Sequence, residues 1–140
     1  MSASRREVIE QCAQEAHLFA RCLAECEPNV YPNLCGACAI ASAYLLNLLT
    51  ERGVEARIVS GVNHAYVRVG KLYVDVTGEQ FGIEPVYIAV KRPREDAWFW
   101  DEVWSAPSVD EFLKVCENDR REWHWDAKRV RQYVPRLEAA

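Results

Sequence analysis

Leu34–Gly61 reads LCGACAIASAYLLNLLTERGVEARIVSG, and the fold of the whole chain follows from how that stretch divides. After Cys35-Gly36-Ala37-Cys38 the residues are strong helix formers, rich in Ala and Leu and uncharged until Glu51, which predicts a helix buried on most sides. Gly53 suits the left-handed position that ends such a helix. The period then changes from helical to two. Ala56, Ile58 and Ser60 alternate with Arg57 and Val59, which predicts a strand.

The following residues extend the sheet. His64–Val69 (HAYVRV) and Leu72–Val76 (LYVDV) are strands separated by Gly70-Lys71, a two-residue hairpin turn with Gly first. Val86–Val90 (VYIAV) is a fourth. Upstream, residues 4–26 form one amphipathic helix opened by the capping-box spacing of Ser4 and Glu7, with Val8, Cys12, Ala16, Phe19 and Leu23 along its apolar face. Cys12, Cys22 and Cys26 are read as small apolar packers on or beside that face. Pro28, Asn29, Pro32 and Asn33 mark a rigid loop. Residues 91–107 are expected to be irregular. A second capping box, Ser108 to Glu111, opens a helix to about residue 117, and a last helix covers about 121–132, ahead of Pro135. The expected architecture is a single α+β domain over residues 1–140, a Cys-bearing helix on a small antiparallel sheet with flanking helices.

Composition bounds the function. Half of the 140 residues are apolar and 27% are charged, as in a globular protein. No apolar run approaches the roughly 20 residues of a membrane span, and residues 1–12 lack the apolar core of a signal peptide, so no membrane role and a cytoplasmic location are expected. A net charge of −4 argues against sequence-independent nucleic-acid binding. In that compartment the six cysteines are expected to be mostly reduced thiols.

Three residue types in order suggest nucleophilic chemistry. Cys38 opens a helix, where the helix dipole and unpaired backbone N–H groups favour a thiolate in general and can hold an oxyanion. A histidine can take the thiol proton, and an aspartate on its other ring nitrogen fixes the tautomer. His64 and Asp75 are suited to those tasks. With Gly70-Lys71 as the turn, Val69 faces Leu72, Tyr66 faces Asp75 and His64 faces Thr77. His64, Tyr66, Tyr73, Asp75 and Thr77 then share one face of the sheet, with His64 and Asp75 as diagonal neighbours. A three-residue turn would separate them.

The pieces Gly36-Ala37-Cys38, Gly53-Val54-Glu55-Ala56-Arg57 with Ser60-Gly61, His64-Ala65-Tyr66-Val67 and Val74-Asp75-Val76-Thr77 together resemble the transglutaminase-like proteins of the papain-like cysteine enzyme superfamily, the small bacterial and phage type. The resemblance covers about residues 34–82. It implies a papain-like fold and a Cys38-His64-Asp75 triad. It also implies acyl transfer through a thioester on a peptide or amide, as in a protease, amidase or glutamine deamidase, or with an amine acceptor. A protein or peptide is then the expected partner, with no cofactor or metal. Asn33, as an oxyanion donor, and Tyr66 and Gln80, near the triad, are the further substrate-binding candidates, with Phe81 beside Gln80 as a lining candidate. Other readings stay open: a silent binding module of the same fold, a zinc-stabilised adaptor using Cys22, Cys26, Cys35 and Cys38, and a redox pair Cys35/Cys38. The five tryptophans, all between residues 98 and 125, are expected to bury core surface rather than roof a groove.

Overall fold

The computed structural model describes residues 3–118 and 124–134. Among these, four α-helices accompany a five-stranded antiparallel sheet, so the α+β class expected from the sequence holds. The expected start of the last helix at Arg121, the side chains of Trp123 and Trp125, and Pro135 lie outside the described residues.

Helix α1 spans Arg5–Cys26. Ser4 caps it by accepting from the Glu7 N–H at 3.2 Å, while its hydroxyl donates to the Glu7 carboxylate, so the two cap residues are tied together. Its buried stripe includes Ala13, Ala16 and Ala20, small enough to let helix α2 (Cys38–Glu51) pack closely alongside, with Phe19 stacked on Tyr44 at 4.1 Å. Cys12 lies in that stripe, but Cys22 and Cys26 are exposed, which corrects the packing role expected for them. Cys22 is turned about 100° from buried Leu23, and Cys26 is the final residue of the helix.

Helix α2 is the hub. Leu45, Leu46 and Leu49 are fully buried, each adding about 1.5–3 kcal/mol of apolar burial, and α1, two strands and both C-terminal helices pack on it. Strands β1 (Arg57–Ser60), β2 (Ala65–Val69), β3 (Leu72–Asp75), β4 (Tyr87–Ala89) and β5 (Trp104–Ala106) run in the order β4-β3-β2-β1-β5. Val69 pairs with Leu72 and Val67 with Val74, the register that a two-residue Gly70-Lys71 turn dictates. Gly70 has φ +56°, as the first residue of such a turn needs. One face of the sheet, with Ile58, Val67 and Val74, belongs to the main core, which also contains α2. The other carries a second, aromatic cluster of Val59, Tyr66, Ala97 and Trp100, with Phe81 and Phe99 against it.

Residues 91–107 were expected to be irregular, and the structure corrects this. Trp98–Trp100 form a 3₁₀ turn, and β5 pairs with β1 through Ile58 and Ala106, Val59 and Ser105, and Ser60 and Trp104. A three-residue strand is too short to show alternation and is held by its partner strand. Helices α3 (Val109–Asn118) and α4 (His124–Tyr133) follow, with Ser108 Oγ accepting from the Glu111 N–H at the start of α3 as the capping box predicts.

Candidate active site

The site forms where the start of α2 meets the end of the β2–β3 hairpin. The loop from α1 to α2 is fixed at several points. Leu34 is fully buried with a left-handed backbone (φ +70°), a conformation costing about 1–3 kcal/mol for such a residue. Its N–H donates to the Tyr31 carbonyl and its carbonyl accepts from Ala37. Gly36 has φ +94°, and a side chain there would collide with the Asn29 carbonyl. Cys38 is then the first residue of α2, half-buried, at a helix end with no side-chain cap, so the leading N–H groups have no intrahelical acceptor.

His64 directly precedes β2, turned in by Asn63, whose left-handed backbone (φ +57°) asparagine tolerates. His64 and Asp75 are both buried, and His64 Nε2 donates to Asp75 Oδ2 at 2.6 Å. The same carboxylate oxygen accepts the Trp100 indole N–H at 2.8 Å, while Oδ1 accepts the Thr77 N–H at 2.9 Å. Phe81 and Trp100 stand nearly perpendicular to the imidazole at centroid distances of 4.9 and 5.6 Å.

Burial opposes charge on both partners, but the pair overrides it. The His64 pKa is raised: burial pulls it down, and the charge and hydrogen bond of Asp75, then Cys38, push it up further. The Asp75 pKa is lowered: burial raises it, and His64, the Trp100 N–H and the Thr77 N–H outweigh that. His64 Nδ1, the nitrogen turned away from Asp75, is buried without a hydrogen-bond partner among the described residues. Cys38 thus influences the charge of the ring, while no hydrogen bond is formed at Nδ1 among the described residues.

Two further contacts lock the walls of the site. Arg21 on α1 donates to the Pro32 carbonyl at 2.8 Å and pairs with Glu79, which also meets His17 Nε2 at 2.7 Å. The turn after Asp75 and the loop before Cys38 are thereby joined to one helix. On the other side, buried Glu27 accepts from Asn29 Nδ2 at 3.0 Å and from Tyr133 Oη at 2.6 Å and pairs with Arg129, holding α4 against the same loop.

The other substrate-binding candidates each make a local structural contact. Asn33 is exposed, and its Oδ1 accepts from the Cys35 N–H at 3.1 Å within the loop. Tyr66 is buried and donates to the Trp100 carbonyl at 2.6 Å. Gln80 donates to the Thr77 carbonyl at 3.1 Å, bracing the turn beside Asp75. The residue that sequence reasoning passed over is Trp100. Its indole N–H needs a partner once buried, which is the one signal that could have set it apart in the Trp98-Phe99-Trp100 run.

Cys22, Cys26, Cys35 and Cys38 do not assemble a metal site, which corrects the zinc alternative: among the described residues no three Cys, His, Asp or Glu side chains are placed to hold an ion. The first two project from α1 and Cys35 from the loop, all exposed, whereas Cys38 faces His64. No described helix is long and apolar enough to cross a membrane.

Comparison with known proteins returns no family model, no curated protein and no solved structure that matches the chain.

Proposed function

We propose that this protein is a papain-like, transglutaminase-like thiol enzyme that forms an acyl-thioester on Cys38 from a peptide or amide. The observation that carries the proposal is the buried His64–Asp75 pair at 2.6 Å with Nδ1 left open on the side of Cys38. His64 takes the thiol proton as the sulfur adds to the carbonyl carbon, and delivers it to the leaving amine as the C–N bond breaks. Asp75 holds the imidazolium, with Trp100 and Thr77 holding Asp75. The carbonyl oxygen is received by the open N–H groups at the start of α2. Water then releases the acid, since no second pocket is needed for it, and an amine acceptor gives transfer instead.

The test is selective labelling. Iodoacetamide at about pH 6, where ordinary thiols are slow, is expected to modify Cys38 ahead of exposed Cys22, Cys26 and Cys35, and an activated ester is expected to leave an acyl group on the Cys38 peptide by mass spectrometry. Even labelling across the exposed thiols, with no acyl-enzyme, defeats the proposal. Cys38→Ser is expected to abolish the acyl adduct without changing the fold.

A further inference from the structure

At the end of the sheet formed by the hairpin turn, a cleft of about 570 Å³ lies among Arg5, Arg57, Arg68, Glu55, Gly70 and Pro107. Its volume falls in the range of small-molecule sites. Arg57 and Arg68 are direct cross-strand partners in the β1–β2 register, a like-charge pair that costs stability unless an anion joins it. Among the described residues none of the three arginines makes an ion pair. Arg57 Nε donates only to Ser105 Oγ at 3.0 Å, and Arg68 is held by the Lys71 carbonyl at 3.1 Å and by stacking 4.0 Å over Tyr73. Arg68 Nε is buried with no acceptor among the described residues. The end of α2 at this cleft contributes little opposing charge, because the carbonyls of Leu48, Leu49 and Thr50 are taken by the N–H groups of Arg52, Gly53 and Val54.

We propose that this cleft binds a phosphate group carried by a small molecule. Three guanidinium charges against the one carboxylate of Glu55 leave two positive charges, the complement of a phosphate dianion rather than of a single carboxylate. Arginine forks are the donors suited to phosphate oxygens. The cleft is larger than a bare phosphate requires, which favours a phosphomonoester.

Calorimetric titration of the full chain at neutral pH with inorganic phosphate, and separately with glycerol phosphate, tests the proposal. Saturable binding is expected, tighter for the ester; equal affinities would assign the cleft to free phosphate. Arg57→Gln and Arg68→Gln are each expected to weaken binding about tenfold, the weight of one charge-assisted hydrogen bond, with an unchanged rate of Cys38 alkylation reporting the intact fold. Absence of saturable binding, affinities unmoved by either substitution, or equal competition by acetate overturns it.

Discussion

Trp100 and Asp75, 25 residues apart in the chain, are joined by an indole N–H to carboxylate hydrogen bond of 2.8 Å, on the same oxygen that accepts from His64. The carboxylate is therefore fixed from the aromatic layer as well as from the hairpin. Trp100→Phe keeps much of the apolar packing and removes the donor. It is expected to destabilise the protein by about 1.5–3 kcal/mol, the range for a hydrogen bond to a charged group, and to slow Cys38 alkylation at a given pH. Urea unfolding and the pH profile of alkylation check both. A loss of stability with an unaltered profile would make Trp100 a packing residue only.

Stability should depend on pH through two pairs. Asp75 is lowered from 3.8, so its contribution is present above that value and fades as pH falls; His64 is raised from 6.5, so its contribution is complete below that value and fades as pH rises. Glu27 is lowered from 4.5 to about 2, chiefly by the hydrogen bonds from Tyr133 and Asn29, so its contribution is complete above 4.5 and is lost as pH falls toward 2. With all three considered, the stability maximum is expected between 4.5 and 6.5. Glu27→Gln should flatten the acid limb and Asp75→Asn the alkaline limb in urea melts across pH.

Gly61, the residue after β1, lies against the Phe99 carbonyl, and a Cβ there would overlap that backbone oxygen. Gly61→Ala must therefore move the turn that carries Trp100. A stability loss of about 1–3 kcal/mol is expected, the usual cost of overpacking, with a matching loss of Cys38 reactivity. Gly53→Ala, where a Cβ meets nothing but the backbone has φ +73°, should cost about 1 kcal/mol and spare reactivity.

Native thiol titration separates the cysteines by position. Cys22, Cys26 and Cys35 should react quickly with a bulky disulfide reagent, Cys38 at a rate set by His64, and buried Cys12 and Cys116 only after unfolding. Fast reaction of Cys12 in the native protein would contradict the packing of α1 on α2.

Breaking the clamp between the two walls of the site should matter for function more than for stability. Arg21 is partly exposed, so Arg21→Met is expected to cost about 1 kcal/mol or less. It should nevertheless slow acylation of Cys38, because the Pro32 carbonyl and Glu79 lose their common tie. Acylation rate and urea midpoint, measured together, distinguish this from a purely structural effect.

The sequence by itself determined the helix from Cys38, the Gly70-Lys71 hairpin and its register, because each depends on neighbours a few residues apart: helix formers, a turn glycine, and alternation of period two. That register alone places His64 and Asp75 on one face. Only the tertiary structure decided that Trp100 and Thr77 hold Asp75, that Arg21 and Glu27 fasten the loop before Cys38, that β5 is a strand, and that Arg57 and Arg68 stand together without a carboxylate partner among the described residues. Those relationships join residues distant in the chain, and a hydrogen bond or charge contact across such separations leaves no periodic trace in sequence. The exposed Cys22 and Cys26 make the same point in reverse, since spacing placed them near an apolar face and the position of α2 left them in solvent.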